Sequence, residues 1–122
     1  NHYSPVLAAL KAGGEEFLCA QLIDLHPAVR HWVRNLASAP AGFALPTSRG
    51  WFYADFVAAL TDDRVALLEY KGAHLANDPG EIEKRQIGEL WARQSDGKAV
   101  FGWLMLTQGG KSLAQQLDEV LV

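Results

Sequence analysis

Two apolar blocks separated by four turn residues constrain this chain more than any other feature. Trp51-Phe52-Tyr53-Ala54-Asp55-Phe56-Val57-Ala58-Ala59-Leu60 is followed by Thr61-Asp62-Asp63-Arg64 and then by Val65-Ala66-Leu67-Leu68-Glu69-Tyr70-Lys71. Both blocks are short, and the first is rich in aromatic residues, which favours strand over helix. The tetrapeptide between them is turn chemistry, so the segment predicts an antiparallel hairpin of strands 51–60 and 64–71, ended by Gly72. Charges within such strands need an explanation, because a buried charge is costly unless it is paired or binds a metal. Glu69 and Lys71 stand two residues apart and share a face, and a hairpin partner can bring Asp55 beside them. Two arrangements satisfy this spacing. In one, the carboxylates lie at strand ends facing solvent and Lys71 makes an ordinary cross-strand ion pair. In the other, two carboxylates and an ammonium share one small volume, where hard oxygen donors suit Mg²⁺ or Mn²⁺ and the lysine stabilises developing negative charge or positions a water.

The remaining chain supplies helices and one more strand. Leu18, Leu22, Leu25, Val29, Val33 and Leu36 recur near a 3.6-residue period, and Pro27 divides the stretch, so two short helices are expected at 15–25 and 28–36, introduced by Gly13-Gly14. Pro40, Gly42, Pro46, Ser48 and Gly50 punctuate a loop that holds a short strand near 43–45. Ile82, Ile87, Leu90 and Trp91 place a helix over 81–94, with Asp78 as N-cap and Pro79 at the first helical position. Residues 99–106 form a further apolar strand, and Leu113, Leu117, Val120 and Leu121 suit a closing helix. The expected architecture is α/β, with a mixed central sheet flanked by helices.

With 122 residues, of which 49% are hydrophobic and 20% charged, residues 1–122 fit one domain able to build a core without disulfides. Cys19 is the single cysteine, and the four histidines supply no zinc-site spacing, so a reducing, cytoplasmic setting is expected. A net charge of −3 lacks the basic footprint of a domain that holds nucleic acid by its own electrostatics. No apolar run is long enough to span a bilayer, and the start at Asn1-His2-Tyr3-Ser4-Pro5 carries no signal-peptide pattern. From a start without Met, the expectation is a fragment, the terminal domain of a longer protein.

Phe52-Tyr53-Ala54-Asp55-Phe56 followed by Leu68-Glu69-Tyr70-Lys71-Gly72 resembles the PD-(D/E)xK nuclease signature, in which an Asp on one strand precedes (D/E)-x-K on the next. The flanking blocks resemble the nuclease domain that ends the helicase-containing subunit of type III restriction enzymes and related DEAD/DEAH-box restriction proteins. Glu15-Glu16, Leu22-Ile23-Asp24, His26-Pro27-Ala28-Val29 and Trp32-Val33-Arg34-Asn35 look like its leading helix, and Phe43-Ala44-Leu45-Pro46-Thr47 like the approach to its first catalytic strand. Glu69 to Leu75 and Glu83-Lys84-Arg85-Gln86-Ile87-Gly88-Glu89-Leu90-Trp91 continue the similarity, which runs from Gly13 to about Leu106. Ala54 departs from the family's usual proline, a change that bears on strand geometry rather than on metal chemistry.

The resemblance implies a restriction-endonuclease-like fold and Mg²⁺-dependent hydrolysis of DNA. Asp55 and Glu69 would be metal ligands with the backbone carbonyl of Tyr70, and Lys71 the catalytic lysine, while Glu16 would reach the metal or its water. It also implies a C-terminal position beside a helicase/ATPase domain of the same polypeptide, with a modification subunit as a further partner. The alternative is a nuclease-fold module that has lost catalysis and docks DNA or protein. An unrelated interaction domain with a coincidental signature would leave Asp55, Glu69 and Lys71 apart in space.

Among the residues themselves, Glu15 rivals Glu16, because it falls on the stripe of Leu18, Leu22 and Leu25, and both also suit a helix first turn as acids. Lys84, Arg85 and Arg34, the last with Asn35 beside it, are candidate DNA contacts, with solvated helix faces and a helix C-terminus as their ordinary roles. Trp51, Trp91 and Trp103 are expected to fill the core or a docking surface, and His26, His31 and His74 to be structural. Cys19, without a partner base, is expected to pack in the core.

Overall fold

The computed structural model describes residues 14–35, 43–72 and 77–122. Gly13, Leu36, Pro40, Gly42, His74 and Leu75, named above, lie outside the described residues. The expected hairpin forms, but only the second half of the first block takes part in it. Strand β4 (Phe56–Leu60) pairs antiparallel with β5 (Val65–Tyr70) in the register Phe56↔Leu68 and Ala58↔Ala66. Between them, Asp63 takes a left-handed φ of 71°, a conformation that Asp tolerates better than most residues.

The first block is not one strand. Trp51 and Phe52 belong to β3 (Gly50–Phe52), which forms a separate ribbon with β2 (Leu45–Thr47), two residues later than the short strand expected at 43–45. Residues 53–55 connect β3 to β4, so Asp55 stands just before β4 rather than inside a strand.

The expected helix at 28–36 is instead strand β1 (Val29–Arg34), antiparallel to β4 with a bulge between Val29 and His31. Val29 and Val33 fit helical and extended spacing alike in so short a run, and β-branched and aromatic residues favour extension. The open edge of β4 decides the matter, since pairing there satisfies both backbones. Only the first of the two expected helices exists, as α1 (Glu15–Leu25).

Helix α2 (Pro79–Arg93) carries the chain across from β5 to β6 (Ala99–Leu104), which lies parallel to β5 and is two residues shorter than expected. Parallel neighbours need such a crossover, and Asp78 starts it by accepting hydrogen bonds from the amides of Gly80 and Glu81. A short ribbon of β7 (Thr107–Gln108) and β8 (Lys111–Ser112) leads to α3 (Leu113–Leu121), capped by reciprocal bonds between Ser112 and Gln115.

The result is a mixed four-stranded sheet in the order β1-β4-β5-β6, with three helices among the described residues. One face, formed by Trp32, Phe56, Ala58, Leu60, Ala66, Leu68 and Leu104, is covered by Cys19, Ala20 and Ile23 of α1 and by Leu113, Leu117 and Leu121 of α3. The other face carries Leu67 and Trp103 beneath Leu45, Phe52 and Ala54, with Ile87 and Trp91 of α2 against them. Cys19 is fully buried, as its packing role requires. Trp103 is a core residue and Trp91 packs edge-on to Phe43, whereas Trp51 is 66% exposed. Among the described residues no helix is long and apolar enough to cross a membrane.

Candidate functional site

Antiparallel pairing sets the start of β4 against the end of β5, and Asp55 and Glu69 meet there. The Asp55 amide donates to Glu69 Oε1 at 2.9 Å, and the Tyr70 amide donates to Asp55 Oδ2 at 2.8 Å. Each carboxylate is thus held by the backbone beside the other. Lys71 follows immediately, its own amide bonded to the Leu104 carbonyl at 2.8 Å, so the end of β6 fixes where it leaves the sheet. Its Nζ lies 2.9 Å from Glu69 Oε2. Asp55, Glu69 and Lys71 therefore converge, which is not what a coincidental signature would give.

Electrostatics at this point are strained. Glu69 is only 3% exposed, and a buried carboxylate needs strong compensation. Burial and then the Asp55 charge push its carboxyl up from 4.5 to about 8, against the pull of Lys71. A buried acid beside a second, half-buried one is the arrangement that a divalent cation relieves. Among the described residues no three His, Cys, Asp or Glu side chains are arranged to hold an ion together. Magnesium does not require such a cage, because it keeps several waters and is commonly bound by one or two carboxylates. Asp55 and Glu69 are two carboxylates of that kind.

Glu16 and Glu15 separate cleanly. The buried face of α1 is Cys19, Ala20 and Ile23, not the expected stripe, since Leu18 and Leu25 are exposed. Glu16, three and four residues before Cys19 and Ala20, shares that inward face. Its carboxyl is raised by burial and then by Asp55, with Arg34 and Lys71 drawing it back, and its Oε1 lies 3.0 Å from Arg34 Nη2. Glu15 instead accepts a hydrogen bond from the Tyr70 hydroxyl. Small side chains at 19 and 20 let α1 approach the sheet closely, and a helix with leucines on several sides does not reveal its buried face by period alone.

Glu81 was not singled out from the sequence, and Asn35 was considered there only beside Arg34 as a DNA contact. Glu81, on the first turn of α2, places Oε1 2.8 Å from Lys71 Nζ and Oε2 3.0 Å from Lys84 Nζ. Lys71 thus sits between two carboxylates; burial lowers its affinity for a proton, but Glu81 and Glu69 outweigh that and raise it. Glu81 itself is held below the usual carboxylate range, since Lys71 and Lys84 overcome its burial. A Glu at the start of a helix reads as a dipole-favoured acid, and only the β5–α2 packing shows its second role. Asn35 is the other. Buried at the end of β1, it donates to the carbonyls of Phe43 and Ala54 and accepts from the Phe43 amide, while its own amide donates to the Asp55 carbonyl at 2.8 Å.

The candidate DNA contacts part company. Arg34 belongs to the carboxylate cluster through Glu16, and Lys84 reaches it through Glu81, lying also over the Phe52 ring at 5.8 Å. Arg85 points elsewhere, pairing with Glu89 at 3.4 Å. His26 is structural, bonded to Asp118 at 2.7 Å and accepting from the Ala28 amide. Comparison of the chain with protein-family models, with curated proteins and with solved structures finds no match.

Proposed function

We propose that this chain is a metal-dependent deoxyribonuclease domain of restriction-endonuclease-like fold, similar to the domain that ends type III restriction subunits. The observation that carries the reading is the convergence of Asp55 and Glu69 at one end of the β4–β5 pair with Lys71 fixed beside them. Asp55 and Glu69 would hold Mg²⁺, with Mn²⁺ as a substitute, and the Tyr70 carbonyl would complete the protein ligands. The ion, when bound, supplies a polarised phosphodiester and an activated water. Lys71 contributes as an ammonium. Glu81 and Glu69 hold its proton firmly, so it stabilises the negative charge that gathers on phosphorus oxygens and orients water, and does not serve as a base. Glu69, fixed by the Asp55 amide, keeps the ligand pair from swinging apart.

DNA is the substrate in this reading. A helicase/ATPase domain of the same polypeptide would bring the duplex, which accounts for an acidic chain acting on a polyanion, and a modification subunit would complete the system. Nicking of supercoiled plasmid at protein excess with Mg²⁺ tests the activity. The native chain is expected to nick, and Asp55→Ala and Lys71→Ala to lose about a hundredfold or more. Nicking by Lys71→Ala at the native rate would overturn the assignment.

A further inference from the structure

The β2–β3 ribbon leaves an aromatic ring and a cation unused beside the cluster. Residues alternate faces along β3, so Phe52 packs into the core while Trp51 turns outward and stays 66% exposed. A tryptophan ring left in water forgoes a large burial gain, and tryptophan is enriched at binding interfaces. The ribbon is pinned against the start of α2: the Ser48 amide and hydroxyl donate to the two oxygens of Glu83, each at 2.8 Å. The Thr47 hydroxyl donates to the Gly50 carbonyl at 2.9 Å and accepts from the Arg49 amide, and Gly50, at a φ of 125°, turns the chain back.

Between ribbon and helix lies a cavity of about 290 Å³, bordered by Arg49, Trp51, Asp78, Glu81, Glu83 and Lys84, near the small end of ligand clefts. Its carboxylates are already engaged. Asp78 caps α2, Glu83 holds Ser48, and Glu81 holds Lys71 and Lys84. Arg49 is exposed, feels the charge of Glu83, and makes no ion pair among the described residues. What stays open to a ligand is an indole face and a guanidinium, a pair suited to a base and its phosphate. Lys84 joins this cavity to the catalytic cluster, because it shares Glu81 with Lys71.

We propose that the cavity receives one unpaired nucleotide of the DNA strand being cut, its base stacked on Trp51 and its phosphate held by Arg49. The inference rests on the nuclease reading given above and adds to it a preference for DNA that is single-stranded or opened beside the scissile bond. Stacking needs a free base face, which a paired duplex hides. A ring that only packs against another protein domain would make no difference to DNA.

The experiment titrates a short single-stranded oligothymidylate into the isotope-labelled 122-residue chain without divalent metal, following the indole N–H resonances of its four tryptophans. The Trp51 resonance, identified by its absence from Trp51→Phe, is expected to shift most. Trp51→Ala is expected to bind the strand about tenfold more weakly, and Trp51→Phe to stay within about threefold of the native chain. Arg49→Gln is expected to bind more weakly and to lower the slope of log affinity against log salt by about 0.7. The same strand paired with oligoadenylate should bind Trp51→Ala and the native chain alike, within about twofold. The proposal is overturned by a native chain that shows no saturable binding, by a largest shift at another tryptophan, by unchanged strand affinity in Trp51→Ala, or by an equal loss on strand and duplex. Plasmid nicking by Lys71→Ala separates the two levels. If that variant is inactive while Trp51→Ala binds the strand as the native chain does, only the nucleotide subsite is wrong. If Lys71→Ala nicks at the native rate, the nuclease reading falls and takes the subsite with it.

Discussion

Glu69 combines near-complete burial with a neighbouring carboxylate, and its protonation therefore couples to folding. Its folded value lies near 8 against 4.5 when unperturbed, so between those values the folded chain holds a proton that the unfolded chain has released. The sign follows: the contribution is fully present below about 4.5 and is lost as pH rises through about 8. Urea unfolding across this range should show the native chain losing stability relative to Glu69→Gln as pH rises; parallel curves would mean that Glu69 is not perturbed. Asn35 makes a second residue-level prediction. Removing an amide that serves two carbonyls and one amide leaves buried groups unpaired, and Asn35→Ala should cost about 2–4 kcal/mol in urea unfolding. The Asp…Glu-x-Lys spacing could be read from the sequence because side chains two apart on a strand share a face, a rule that needs no tertiary knowledge. Glu81 and Asn35 could not, since their roles exist only where α2 crosses β5 and where the β1 end meets the segment before β4.

At the scale of elements, α2 lies unusually close to β6. A Cβ at Gly88 would stand 2.3 Å from the Phe101 ring, so the glycine is there for close approach and not for conformation. Helix propensity alone would favour alanine by about 1 kcal/mol. Gly88→Ala is nevertheless expected to lower stability by about 1–2 kcal/mol, and a Phe101→Leu background should recover most of it. An unchanged or raised melting temperature in the single variant would contradict this packing. The N-cap of α2 gives a smaller effect, with Asp78→Ala expected to cost about 1 kcal/mol in the same measurement. The cap was legible because Asp-Pro before an apolar period is a local signal. Strand β1 was not, because Val29 to Arg34 carries a pattern that either period accepts and the free edge of β4 chose between them. The split of the first block into β3 and β4 was hidden for a related reason. Phe52 and Ala54 are buried on one side of the sheet and Phe56 on the other, so the apolar run continues through the change of strand.

For the whole molecule, the sheet order β1-β4-β5-β6 brings three kinds of support to one corner. The β4–β5 pairing sets Asp55 against Glu69, the β5–β6 pairing anchors Lys71, and helices α1 and α2 deliver Glu16 and Glu81 from opposite faces of the sheet. Such convergence leaves like charges close together, and a ligand that relieves them stabilises the fold by mass action. The central claim is that Asp55 and Glu69 form a divalent-cation site. Calorimetric titration of Mn²⁺ into the native chain, Asp55→Ala and Glu69→Ala tests it most directly. The account predicts one or two ions bound by the native chain and saturable binding lost in both variants. Equal, weak binding by all three would contradict it.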